Sequence, residues 1–263
     1  MTRGIGGVEF AGSLPDAVVA AGGLLTQLGD MWFLLLAIGA LYWRARGGAA
    51  PGFTPMPFRD CLLLLALAVG SYAAAAALKS AFAFPRPPGA GTAVLPAWLP
   101  PAASPVYEAM VTADGYGFPS GHATAATAVY GGMAVLLRAG TRRLRYAAAA
   151  AVVTTVALSR VVIGVHYLVD VVAGVLLGLA VLGTLLALGR RLGAERRTSD
   201  TTDAGRADTR SPAPALAGAA LLAAVALALS PGFERLLGLL GAAGGLGLWL
   251  VRRPSTAPSL RGS

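Results

Sequence analysis

Two histidines occur in the 263 residues, and each stands among polar groups at one end of an apolar run. His166 is preceded by Ser159 and Arg160 and followed four residues later by Asp170. On a helix, residues four apart share a face, so the carboxylate could accept a hydrogen bond from one imidazole nitrogen and leave the other directed outward. A neutral imidazole held in this way is a nucleophile or a base, and the carboxylate would stabilise the imidazolium that forms when it attacks. The same pair also suits a structural His–Asp contact that caps a helix.

Pro119-Ser120-Gly121-His122 opens a second apolar run. The free N–H groups of a helix start, a hydroxyl and a glycine without a side chain can surround phosphate oxygens, and His122 can then give a proton. Without that chemistry, Ser120 is an N-cap and His122 a residue reaching for a membrane interface. Lys79 and Arg86 are seven residues apart with Pro87 behind them. If one helix carries both, two turns bring them to the same pocket, where they could clamp an anion. Alternatively both reach lipid headgroups.

The runs that must position these groups are close to twenty residues long, the length that a hydrocarbon core of about 30 Å requires of a helix. Composition agrees: 56% of residues are hydrophobic and 13% charged, far from a soluble domain. The pattern predicts seven spans: about Leu25–Arg44, Cys61–Phe84, Ser120–Arg138, Tyr146–Gly164, His166–Leu188, Ala215–Leu229 and Phe233–Val251. Leu14–Leu25 reads as a helix at the interface, with Asp30 near a headgroup region because a carboxylate at mid-bilayer is costly. Pro85–Phe118, rich in Pro, Gly and Ala, is too long for a simple connector and reads as a lid or substrate-access element, with Glu108 and Asp114 as solvated charges. Arg190–Pro214 reads as a disordered polar linker, and Pro231-Gly232 as a turn.

The formal charge of +9 is carried by clusters that flank apolar runs, such as Arg138, Arg142, Arg143 and Arg145, so it reads as a topology signal and not as a nucleic-acid surface. Placing the basic clusters inside puts the N-terminus outside, and it gathers Lys79, Arg86, Ser120, His122, Arg160 and His166 at the outer face. The lone Cys61 excludes a disulfide framework and a cysteine-based metal site. Met1–Phe10 shows no removable signal peptide.

In their order, Lys79-x6-Arg86-Pro87, Pro119-Ser120-Gly121-His122 and Ser159-Arg160-x5-His166-x3-Asp170 resemble the three-part signature of the type 2 phosphatidic acid phosphatase superfamily, which also includes nonspecific acid phosphatases and vanadium haloperoxidases. The resemblance covers roughly residues 61–188 and fills every signature position. It implies that His166 attacks phosphorus, that Asp170 orients it, and that His122 protonates the leaving alkoxide and later activates water. Lys79, Arg86, Ser120, Gly121 and Arg160 would bind the phosphoryl oxygens. Three cations could supply the electrostatics that other phosphatases take from metal ions, so no metal and no cofactor is expected.

The expected fold is all-α: a polytopic transmembrane helical bundle with a phosphatidic acid phosphatase-like core and two further C-terminal spans. Its divisions are an interfacial segment (1–24), a membrane core (25–189), a polar linker (190–214), a helical hairpin (215–251) and a basic tail (252–263). The expected activity is hydrolysis of a lipid phosphate or polyprenyl diphosphate at the outer face of the cell membrane. Membrane lipids, and no nucleic acid, are its other expected partners. A phosphotransferase, a haloperoxidase and a transporter with a charged cavity are competing readings.

Overall fold

The computed structural model describes residues 12–47, 53–54, 56–195, 211–230 and 232–251. Among these there are nine α-helices and no strand, as expected for a polytopic helical bundle. They are α1 (Asp16–Thr26), α2 (Met31–Arg46), α3 (Pro57–Phe82), α4 (Ser104–Val111), α5 (Gly121–Leu136), α6 (Arg142–Val162), α7 (Leu168–Glu195), α8 (Pro212–Leu229) and α9 (Phe233–Val251). Residues 1–11, most of the linker and the basic tail lie outside the described residues, as does Pro231 of the expected turn.

α3 is the central helix: from Arg59 to Ala76 nearly every residue is buried, and α2, α5, α7, α8 and α9 all pack on it. The outer helices have the opposite character. Leu176 and Leu179 of α7, Leu221 of α8 and Leu240 of α9 are exposed, while Ser120, Asp60 and Asp170 inside have no exposed surface. Apolar groups outside and polar groups inside are what a lipid solvent demands. This is a membrane protein. Four helices, α3, α6, α7 and α8, are long and apolar enough to cross a bilayer, and the bent pair α1–α2 would make a fifth. The span expected at Ser120–Arg138 is shorter, since α5 has 16 residues, while the helix expected at Phe233–Val251 has those bounds.

Several expected boundaries move. The helix expected from Leu25 begins at Met31, because a 3₁₀ turn, Gln27–Gly29, separates two helices bent by 53°. Trp32 Nε1 donates to Gln27 Oε1, and Tyr130 of α5 donates its hydroxyl to the Leu28 carbonyl, so the turn's polar groups are partly met from neighbouring elements. α3 starts at Pro57, which suits a first-turn position that needs no N–H donor, and takes in Arg59. That arginine, which precedes the expected span Cys61–Phe84, is buried and donates to Asp60 at 2.7 Å. Asp60 also accepts from Thr54. The polar linker is shorter than expected, since α7 continues to Glu195 and α8 begins at Pro212.

The connection after α3 is built and not structureless. α3 stops at Ala83, which takes a left-handed φ of 50° and donates its N–H to the Lys79 carbonyl. The chain then closes on itself through Gly117 N–H to the Phe84 carbonyl and Ala113 N–H to the Ala90 carbonyl. Phe82, Phe84 and Phe118 pack with ring centroids 5.4–5.7 Å apart. Within the connection α4 buries Tyr107 and Val111 and lies against α1.

Close approach between α5 and α7 depends on missing side chains. A Cβ on Gly174 would lie 2.6 Å from the Ser120 carbonyl, and one on Gly178 2.6 Å from the Thr124 carbonyl. Small residues four apart let two helix backbones meet, as membrane helices commonly do. Gly178→Ala is therefore expected to destabilise the detergent-solubilised protein by about 1–3 kcal/mol through overpacking. Gly183→Ala on the same helix, where an added Cβ meets nothing within 4 Å, should be neutral or slightly stabilising. Thermal unfolding of the two variants checks this, and equal melting temperatures would contradict the proposed packing.

Candidate active site

The geometry begins where α6 ends. Gly164 has a φ of 74°, its N–H bonds the Val161 carbonyl, and Val165 N–H bonds the Arg160 carbonyl. This is the Schellman pattern, in which a left-handed glycine ends a helix and folds the following residue back over its last turn. His166 N–H also reaches the Arg160 carbonyl at 3.2 Å, so the five residues between Arg160 and His166 are those needed to wrap the helix end. His166 consequently lies in the turn before α7 and not on that helix, contrary to the stacked arrangement expected from the sequence. Its pairing with Asp170 survives. Asp170 sits in the first turn of α7, accepts from Tyr167 N–H at 3.0 Å, and has its Oδ2 3.4 Å from His166 Nδ1.

Asp170 also joins the two histidine motifs. Its backbone carbonyl accepts the Ser120 N–H at 2.9 Å, which holds the start of α5 against the start of α7. Ser120 occupies the N-cap position, but its hydroxyl makes no cap bond. That Oγ is buried and has no hydrogen-bond partner within the protein, and the same is true of Arg160 Nε. Buried donors in this state fit a ligand that accepts from both. Next to them, a Cβ on Gly121 would meet nothing nearer than Ala75 at 4.0 Å, so the glycine leaves open space at the helix start.

Lys79 and Arg86 reach the same place by different routes. The helix does not persist between them: Lys79 is in the last turn of α3, and Arg86 follows the left-handed Ala83 in extended chain. Arg86 Nε donates to the Asp114 carbonyl at 2.9 Å, so Asp114, expected only as a solvated charge, contributes through its backbone. Arg86 Nη1 donates to the Val165 carbonyl and lies 3.1 Å from His166 Nε2. A guanidinium has no acceptor, so Nε2 carries the lone pair and Nδ1 the proton that faces Asp170. Burial, and then the charges of Arg160, Arg86 and Lys79, hold His166 well below the ordinary histidine range.

A cavity of about 600 Å³ is lined at its polar end by Lys79, Arg86, Gly121, His122, Arg160 and His166. Ser120 and Asp170 lie behind this wall without exposed surface. All eight residues singled out in the sequence are thus brought together. Away from them the lining turns apolar, with Leu65, Val69 and Tyr72 of α3 facing Leu35 and Leu237.

Three contributors were not recognised in the sequence. His122 Nε2 lies 3.1 Å from Asp30 Oδ1, so His122 is paired within the site and Asp30, read as a headgroup-level charge, is its partner. Gly29 makes this possible, because a Cβ there would lie 2.6 Å from Val156 and 3.3 Å from His122. Thr26 of α1 is fully buried and accepts from Arg160 Nη1 at 3.0 Å. Arg235 of α9 lines the cavity. The signal for Asp30 was present, since an ionisable group interrupting an apolar run is functional by default.

The family model described as the PAP2 superfamily matches residues 60–193, just over half of the chain. The chain belongs to the PAP2 superfamily. No curated protein and no solved structure gives a match. Members of the superfamily are phosphatases, and by that membership this PAP2 protein is a phosphoric ester hydrolase. The match contains every clustered residue except Asp30, Thr26 and Arg235, and it ends before α8.

The lowered proton affinity of His166 has a direct readout. With two histidines in the chain, imidazole ¹⁵N spectra of the apoprotein should contain one ring, identified by its loss in His166→Gln, that is neutral and protonated on Nδ1 at pH 6. Because its affinity is depressed, this ring should take up its second proton only as the pH falls below the ordinary value of about 6.5. Titration at or above that value would contradict the described environment.

Proposed function

We propose that this PAP2 protein hydrolyses a phosphomonoester or diphosphate carried by a lipid, by way of a phosphohistidine on His166, without a metal ion. The observation that carries the reading is the unprotonated Nε2 of a buried histidine at the polar end of a cavity whose other walls are apolar. When phosphate oxygens take over the guanidinium of Arg86, its contact with Nε2 is released. The Nε2 lone pair then forms a bond to phosphorus while the bond from phosphorus to the ester oxygen breaks. The positive charge left on the imidazole is offset by Asp170 through the Nδ1 proton.

His122 gives its proton to the departing oxygen. In the second half, His122 takes a proton from water as the water oxygen bonds to phosphorus and the P–N bond breaks. Inorganic phosphate leaves and Nε2 is restored. Lys79, Arg86, Arg160, the Ser120 hydroxyl and the Gly121 N–H meet the phosphoryl oxygens, where they stabilise charge that grows in the transition state. Asp30 is a positioning residue that acts through His122. The apolar walls suit a hydrocarbon tail. The basic residues at the other end of the spans, Arg44, Arg46, Arg142, Arg143 and Arg145, favour a site at the outer face of the cell membrane.

Two measurements test this reading. Detergent-purified protein should release phosphate from phosphatidic acid with EDTA present, and His166→Ala should abolish release; activity that EDTA removes, or that survives in a folded His166→Ala protein, would refute the mechanism. Asp30→Asn should slow turnover of an alkyl phosphate about tenfold or more with little change in KM. It should slow 4-nitrophenyl phosphate much less, because that leaving group needs no proton. An equal loss on both substrates would assign Asp30 a purely structural role.

A further inference from the structure

The helices α8 and α9 lie outside the region matched by the family, yet they help to build the cavity. α8 buries Ala215, Ala219, Ala223 and Ala226 along one face, and its most extensive packing is against α3. Small side chains at this spacing allow the helix to sit close to the central one. α9 then contributes Leu237, Gly238 and Gly241 to the cavity wall opposite Val69. A Cβ on Gly241 would meet nothing within 4 Å, so this face of α9 borders open space and not a packed core.

At the start of α9, Arg235 lines the cavity that also holds Lys79, Arg86 and Arg160. Its Nη1 donates to the Ser230 carbonyl, which ties the guanidinium to the C-cap of α8. Among the described residues no carboxylate forms an ion pair with Arg235. The ionisable lining of the cavity is consequently four guanidinium or ammonium groups, two imidazoles and the Asp30 carboxylate, which faces His122. A phosphomonoester carries a charge of about −1.5 to −2 at neutral pH and is already met by three cations. A fourth, set on another element of the same cavity, suits a second anionic group bonded to the reacting one. A guanidinium suits this role because its planar donors pair with phosphate oxygens in two parallel bonds.

We propose that the α8–α9 hairpin is part of the substrate site, with Arg235 binding the second phosphoryl group of a diphosphate-bearing amphiphile whose tail runs along the α3–α9 wall. This rests on the phosphatase reading for the first phosphoryl group and deepens it by naming the substrate class. Arg235 is then a specificity-determining residue, and the hairpin distinguishes this chain from a bare superfamily core.

The test is equilibrium binding of methylenediphosphonate and methylphosphonate, neither of which can be turned over, to the detergent-purified full chain. Wild type should bind the diphosphonate about tenfold or more tightly than the monophosphonate, the worth of one charge-assisted pair. In Arg235→Gln that preference should largely vanish while methylphosphonate affinity is kept, which also reports a folded site. Arg235→Lys should retain most of the preference, as it keeps the charge. A wild type without preference, or an Arg235→Gln protein that keeps it, would overturn the proposal and leave Arg235 as a contact for bulk headgroups. Hydrolysis of 4-nitrophenyl phosphate by the same wild-type preparation reports separately on the phosphatase reading, so either can fail without the other.

Discussion

Asp170 has no exposed surface, and hydrogen bonds from His166, Tyr167 and Ser120 converge on it. Its carboxylate faces His166 Nδ1 and takes the Tyr167 N–H, while its carbonyl takes the Ser120 N–H. A buried carboxylate is tolerable only with such partners, since its desolvation costs several kcal/mol. Here the partners are the site. Satisfying Asp170 sets the tautomer of His166, caps the start of α7, and ties the start of α5 to it. The Schellman turn at Gly164 and the close contacts at Gly174 and Gly178 serve the same joint, because each brings backbone to backbone where a side chain would intervene.

Around that joint, cations are gathered that would repel one another without an anion between them. Arg86 is held by two backbone carbonyls, Asp114 and Val165, and Arg160 by the Thr26 hydroxyl. None of these contacts neutralises the charge. They fix direction and leave the electrostatic demand for a ligand in place, which is the condition for preorganised binding of a phosphoryl group. Neutral partners for the two arginines and a carboxylate for each histidine divide the labour in the proposed mechanism: the cations stay available for substrate, and the imidazoles stay oriented for proton and phosphoryl transfer.

The peripheral elements acquire roles through this centre. α1 supplies Thr26, the turn behind it supplies Asp30, the long connection after α3 carries Arg86, and the C-terminal hairpin carries Arg235. A core of α3, α5, α6 and α7 therefore holds the reacting groups, and elements before and after it complete their surroundings.

The sequence by itself picked out the candidate site and the class of fold. The order and spacing of Lys79, Arg86, Ser120, Gly121, His122, Arg160, His166 and Asp170 single out the candidate phosphate site, and the apolar runs mark a helical membrane bundle. Those features are legible because they are local: a motif is a few residues of one turn, and a span is one uninterrupted run. What the tertiary structure alone decided are the partners. Thr26 meets Arg160 across 134 residues, Asp30 meets His122 from the turn between α1 and α2, and Arg235 faces the cavity from beyond the core. No periodicity encodes such a contact, since it depends on how helices pack and on where a glycine lets two backbones touch. For the same reason the end of α3 at Ala83 and the turn that holds His166 could not be read from spacing: an unbroken helix and a wrapped helix end both preserve the intervals between residues, and only packing against the neighbouring helices selects between them.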